Sequence, residues 1–268
     1  LLALTLVWSI LFYHSARAIL LGQFAVAVFA LTVVMLLAMR ARHDAAAGVL
    51  LALSTVKPQM VFLFVPLLLF WAVARKRWRL VAGFAGALVV LLGLSFIAVP
   101  SWVSDFVAEM LRYPAYTAIG SPVWVSTRYF FPVLGAPGEI ILSAALLVWM
   151  GTTWLRVWRD ETWSVFLWAT SVTLVVTNLV ALRTATTNYV VLLIPLIQVF
   201  AMMHLRWKRS GTWWIIGFEV VLLVGLWALF FATVVNKFEH PIMYLPLPVG
   251  LAAALIAWRK YLVQVTPP

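Results

Sequence analysis

With 268 residues, 65% of them hydrophobic and only 10% charged, the chain is far more apolar than a soluble domain, of which about a quarter is charged. It reads as a polytopic membrane protein. The net charge of +11 sits in short clusters between apolar runs, which is topology marking and argues against nucleic-acid binding; the lack of cysteine excludes disulfides and thiolate metal sites.

Leu1–Tyr13 reads as the end of a spanning helix, with His14-Ser15-Ala16-Arg17 as an outer turn. The chain begins without Met inside an apolar run too short to span, so further helices are expected upstream. Ala18–Met39 supplies the ~20 apolar residues a bilayer requires and ends at Arg40 and Arg42. Asp44–Val56 is about 20 Å of helix against a ~30 Å core, so it reaches only part of the way. Pro58 lacks an N–H and disfavours helix at Lys57, which predicts a break there. Met60–Ala74 then returns to the cluster Arg75-Lys76-Arg77-Trp78-Arg79. Leu80–Val99 spans outward.

Residues 100–137 form the longest polar and aromatic stretch, an outer loop. Within it Ser101–Arg112 has the pattern of an amphipathic helix lying on the membrane, and the rest reads as loop. Glu139–Trp154 returns to Arg156 and Arg159. Trp163–Ala181 runs out, and Asn188–Leu205 comes back to Arg206-Trp207-Lys208-Arg209. Thr212–Val235 runs out and Leu245–Trp258 returns to Arg259-Lys260, placing the C-terminus in the cytoplasm.

Charge tests this alternation. Of the 19 Lys and Arg, the inner turns hold all but Arg17, Lys57, Arg112, Arg128, Arg183 and Lys237. That asymmetry requires Ala46–Ala74 to be a hairpin, because one straight span would put Arg75–Arg79 outside. The expectation is an all-α membrane protein of about nine to ten spanning or half-length helices, forming one transmembrane domain over residues 1–268, with a broken hairpin at Lys57-Pro58. No repeat, Gly-rich phosphate loop, zinc-type His spacing or Gly-x-Ser-x-Gly turn is visible; no cofactor is expected, and no ligand cluster argues for a metal.

Lys57 is the leading functional candidate. A cation at bilayer depth costs ~2.5–3.5 kcal/mol unless paired or hydrated, so it reads either as a phosphate contact in a wet cavity or as a lysine snorkelling to the interface. Gln23, after Gly22, reads as a hydrogen-bonding group for a sugar or phosphate, or as helix–helix glue. The outer segments add Asp105, Glu109, Arg112, Arg128, Arg183, Asn188, Tyr189, Glu239 and His240. Rings stack on sugars and Arg forks bind phosphate, so this mixture suits a sugar-phosphate site; a solvated loop with an interfacial aromatic belt is the alternative. Glu219 reads as neutral or paired within the bundle. His43 and His204 read as interfacial.

Gly22-Gln23, Arg40-Ala41-Arg42, Ala47–Leu53, Lys57-Pro58 and Arg75–Arg79 together resemble the membrane glycosyltransferases of family 87, the DUF2029 group that includes polyprenol-phosphate-mannose-dependent α-(1,2)-mannosyltransferases. The resemblance is specific over Gly22–Leu80. It implies a GT-C bundle in the plasma membrane, with its active site facing the extracytoplasmic side. The implied partners are a polyprenyl-phosphate sugar, with mannose the expected hexose, and a lipid or glycan acceptor. Gln23 and Lys57 carry over from the family pattern, Lys57 as contact to the donor phosphate; Arg112, Arg183, Asn188 and Tyr189 complete the expected substrate-binding set.

Such enzymes place a catalytic Asp in the first outer loop. This chain has no acidic residue before Asp44, so the resemblance puts the base upstream of Leu1. Relatives also carry His-Tyr before a late apolar run, where Asn188-Tyr189 stands here. The alternatives to a glycosyltransferase are a transporter or flippase of lipid-linked sugars, which would use the same broken helix and cation, and a scaffold that has lost catalysis.

Overall fold

Lipid offers backbone N–H and C=O groups no hydrogen-bond partners, so a chain this apolar must satisfy them within helices. The structure, a computed structural model, describes residues 1–116, 119–160, 162–236 and 238–262, and for residues 113–116 and 262 the backbone alone. Lys237 and the side chains of Tyr113 and Tyr116, noted in the sequence, lie outside the described residues.

The described chain is helical, with no strand among the described residues. In order come α1 (Leu2–Leu11), α2 (Tyr13–Leu20), α3 (Ala25–Arg40), α4 (Asp44–Ser54), a 3-10 turn at Pro58–Met60, α5 (Phe64–Ala74), α6 (Trp78–Ala98) and α7 (Trp102–Tyr116). Then follow α8 (Pro122–Trp124), a π-turn at Val125–Phe130, α9 (Gly135–Arg159), α10 (Trp163–Val180), a 3-10 stretch at Thr186–Leu192, α11 (Leu193–Thr233), a 3-10 turn at Pro241–Tyr244, α12 (Pro246–Ala257) and α13 (Arg259–Leu262). Counting α11 once, four helices among the described residues are long and apolar enough to cross a membrane, and five if α1 and α2, bent by 52°, act as one span. The protein is an all-α polytopic membrane protein.

Two departures from the sequence reading have local causes. The run Ala18–Met39 is not one helix: Gly22 adopts φ +60°, a conformation glycine enters at little steric cost, and the chain turns there before α3 begins. Gln23 therefore sits in the turn ahead of α3, not one turn into it. Within residues 122–130 a helical turn runs directly into the π-turn, where a loop was expected.

The hairpin does form. Thr55–Lys57 interrupt the helix, Pro58 opens the 3-10 turn, and the two halves run back to the same end. There the Arg77 guanidinium pairs with the Asp44 carboxylate and donates to the Met39 carbonyl at 3.0 Å, so the residues flanking the hairpin are tied together. The turns on either side reverse through left-handed Arg42 and Lys76. α11 likewise breaks at Lys208 (φ 46°, ψ −119°), and its two arms fold back so tightly that Gly211 lies against the Met203 carbonyl.

α10 is the hub. Nearly its whole length is buried, and the Thr173 and Thr177 hydroxyls and the Asn178 amide N–H donate back to carbonyls one turn earlier. α6, by contrast, lies at the periphery with most of its surface exposed, the pattern of a lipid-facing helix.

These contacts define two ends. Arg75 donates to the Val157 and Trp158 carbonyls at 2.9 and 3.1 Å, and Arg206 sits over the Tyr261 ring, which gathers the basic clusters at one end. The opposite end gathers α2, Gln23, Lys57, the Thr186–Leu192 stretch and residues 239–244.

Candidate functional site at the end opposite the basic clusters

Lys57 stands at the break, where its carbonyl accepts the Met60 N–H at 3.1 Å as the 3-10 turn begins. Its Nζ donates to Gln23 Oε1 at 2.9 Å, joining two residues 34 positions apart in the chain. Lys57 is half-buried and Gln23 exposed, so the pair lies at the molecular surface rather than in the apolar core. The 3-10 turn after Lys57 packs on α10, and the Thr186–Leu192 stretch packs on α2, α3 and α10.

A second polar cluster lies on these same elements. The Glu239 carboxylate accepts from the Tyr13 hydroxyl at 2.6 Å and from the Thr186 hydroxyl at 2.6 and 2.7 Å, and it pairs with Arg17. Arg17 also donates to the Tyr13 hydroxyl at 2.9 Å and covers the Phe230 ring. The Glu239 carboxylate serves as a latch joining α2, the Thr186 stretch and the turn before α12. Exchange of Glu239 for Gln keeps the shape and loses the charge-assisted bonds, and is expected to lower stability by about 1–2 kcal/mol. Thermal melts in detergent check this; unchanged stability with lost activity would make Glu239 a reacting carboxylate instead.

On α2, on α10 and in the chain that follows it are buried polar atoms without a protein partner. Among the described residues they include Ser15 Oγ on α2, Asn178 Oδ1 on α10, Arg183 Nη1 just beyond it and Asn188 Oδ1 in the 3-10 stretch. Each such atom costs about 1–3 kcal/mol if left dry, so four on adjoining elements point to water or a hydroxyl-rich ligand there.

The expected site residues separate as follows. Lys57 and Gln23 meet. Arg183 stacks over Trp124, and Asn188 donates to the Thr184 hydroxyl at 3.2 Å, each keeping one orphaned atom. Tyr189 is fully buried, edge-on to His14, and donates to the Tyr244 carbonyl at 3.2 Å. Arg112 is exposed on α7 and paired with Glu109 at 2.6 Å.

Of the remaining polar residues, Arg128 binds Glu139 at 2.9 Å, and the Tyr129 hydroxyl lies 3.3 Å from His240 Nε2. Buried Glu219 accepts from the Thr5 hydroxyl at 2.6 Å. Tyr13 and Thr186 escaped the sequence reading because a hydroxyl in an apolar or Thr-rich run carries no pattern of its own. No cluster of His, Cys, Asp or Glu able to hold a metal exists among the described residues.

The model of glycosyltransferase family 87 matches residues 1–181, which include both halves of the hairpin, the Lys57–Gln23 pair and the whole of α10. The chain belongs to glycosyltransferase family 87. The match extends well beyond Gly22–Leu80, where the motifs are most specific. No curated protein and no solved structure matches the chain. Family 87 membership makes the protein a membrane glycosyltransferase, acting on a sugar donor and an acceptor.

Proposed function

We propose that this family 87 protein transfers a hexose, with mannose the first candidate, from a polyprenyl-phosphate donor to a lipid or glycan acceptor on the extracytoplasmic side. The observation that carries the reading is the Lys57–Gln23 contact, at the end of the bundle away from the basic clusters. An ammonium group placed between two half-helices can hold a phosphate that reaches it from the membrane, while its apolar flanks face the polyprenyl chain. The positive-inside rule supports the assignment of that end to the outside.

In the proposed reaction a carboxylate removes the acceptor hydroxyl proton, and the oxygen attacks the anomeric carbon with inversion. The bond to the phosphate oxygen breaks, and polyprenyl phosphate leaves. Lys57 donates to that phosphate as negative charge develops on the leaving oxygen. Gln23 orients the ammonium and offers its own amide to phosphate or sugar. Arg183 and Asn188 are assigned to the sugar hydroxyls, because each has a polar atom awaiting a partner; Tyr189 is the wall behind them. Arg112, on the exposed α7, is paired with Glu109.

Membranes bearing the protein, supplied with radiolabelled polyprenyl-phosphate mannose, test this directly. Label is expected in a lipid or glycan acceptor, with release of polyprenyl phosphate. Movement of intact donor across the bilayer without transfer would instead support a flippase, and neither outcome would leave a scaffold.

A further inference from the structure

Residues 120–130, at the outer end, carry side chains that the proposed reaction does not use. The segment is firmly anchored. Ser121 Oγ accepts the Trp124 N–H at 3.1 Å, Val123, Val125 and Thr127 are buried, and the Arg183 guanidinium lies 5.8 Å from the Trp124 ring centre. The chain then enters the π-turn, a rare geometry that is frequent at functional sites. That turn presents Tyr129, which is 47% exposed. Phe130 and His240 hold its ring in T-shaped contacts, with ring centres 5.1 and 5.7 Å away.

His240 is itself fixed. Its Nδ1 accepts the Ile242 N–H at 3.2 Å, which places the ring proton on Nε2, 3.3 Å from the Tyr129 hydroxyl. The hydroxyl therefore accepts from the imidazole and keeps its own proton to donate. An exposed aromatic ring held in place, with a hydroxyl donor at its rim, suits a sugar, which has C–H groups on its faces and hydroxyls around its edge. A phosphate suits it less, because Arg128, next along the chain, already has its charge offset by Glu139 at 2.9 Å.

We propose that Tyr129 and His240 bind the saccharide part of the acceptor, an assignment that rests on the transferase reading. A sugar ring stacks on the Tyr129 phenol and accepts a hydrogen bond from its hydroxyl, while His240 fixes the direction of that bond. Two links tie this pair to residues assigned to the donor sugar. Trp124, in the same segment as Tyr129, stacks with Arg183. Glu239, next to His240, binds Thr186, which opens the 3-10 stretch that holds Asn188. The acceptor is thus a glycan or glycolipid, and a lipid alcohol without a sugar would leave the Tyr129–His240 pair unused.

The test is saturation-transfer NMR on the purified full protein in a sugar-free detergent, with methyl α-mannoside, methyl α-glucoside and methyl β-galactoside as probes. Signal is expected on the ring protons of at least one sugar. Tyr129→Leu should abolish it, Tyr129→Phe should retain most of it, and Trp78→Leu, an exposed ring at the basic end, should leave it unchanged; Tyr129→Gln serves if the leucine variant does not purify. In the transfer assay Tyr129→Leu should raise the acceptor KM roughly tenfold and leave the KM for polyprenyl-phosphate mannose within about twofold. No signal from any of the three sugars, signal that survives Tyr129→Leu, or a parallel rise in both KM values would overturn the site and leave Tyr129 an interfacial ring. Binding needs no turnover, so a protein that binds a sugar through Tyr129 and transfers none would refute the reaction and keep the site.

Discussion

Exchanging Lys57 for methionine, which keeps an unbranched stem and removes the charge, is expected to cut sugar transfer by ~10²–10³-fold, about 2.7–4 kcal/mol of barrier. The loss should fall mainly on turnover. A phosphate diester becomes a more strongly charged monoester as the sugar leaves, so the ammonium contributes most after the bond has begun to break. Gln23→Ala should cost less, because the amide accepts from Lys57 at 2.9 Å and orients a charge that survives its removal. Lys57→Arg should recover part of the activity if phosphate contact is the role. Yield and melting temperature should barely change in Lys57→Met, since the half-buried side chain contributes little packing. Near-wild-type transfer by Lys57→Met in membranes of equal protein content would remove the residue from the reaction.

The second large effect concerns the support of that lysine. α4 crosses α6 at two glycines. A Cβ on Gly48 would lie 2.1 Å from the Leu80 carbonyl oxygen, and one on Gly83 would lie 2.3 Å from the Ala45 carbonyl oxygen. Both obstacles are backbone, which cannot swing aside as a side chain can. The helices approach so closely because neither has a Cβ at the crossing, the small-residue packing by which helices associate in lipid.

Gly48→Ala is therefore expected to destabilise by about 3 kcal/mol, although alanine is the better helix former by ~1 kcal/mol. That corresponds to a fall in Tm of roughly 6–12 °C. Gly86→Ala and Gly93→Ala, also on α6, meet nothing within 4 Å and should melt at or above the wild-type temperature. Equal behaviour of Gly48 and Gly86 variants would show that the crossing is looser than these distances require. Since α4 leads directly into Lys57, Gly48→Ala should also reduce transfer.

Much of this architecture is legible in the chain itself. Basic clusters separated by apolar runs mark the helix ends, because a charged group is stable only where the helix leaves the lipid. Pro58 announces the break ahead of it, and the lengths of Asp44–Val56 and Met60–Ala74 are too short for anything but a hairpin. The break at Gly22 was harder to see: a glycine in an apolar run is compatible with helix, and its φ of +60° exists only in the folded chain. Glu239 stood out as an outer acidic residue, but its partners did not. Tyr13 and Thr186 lie 226 and 53 positions away, and only the folded chain brings their hydroxyls to its oxygens.

Composition and charge spacing alone determined that the protein is an all-helical membrane protein with a broken hairpin, because burying backbone and siting charge in a bilayer are decided residue by residue along the chain. Which residues meet was decided by the tertiary structure. The Lys57–Gln23 contact, the Glu239 latch and the Gly48–Leu80 crossing each join segments distant in sequence, and nothing in local pattern specifies how helices of similar apolarity choose their neighbours. That choice rests on shape and hydrogen bonding at the crossings, which exist only once the helices have packed.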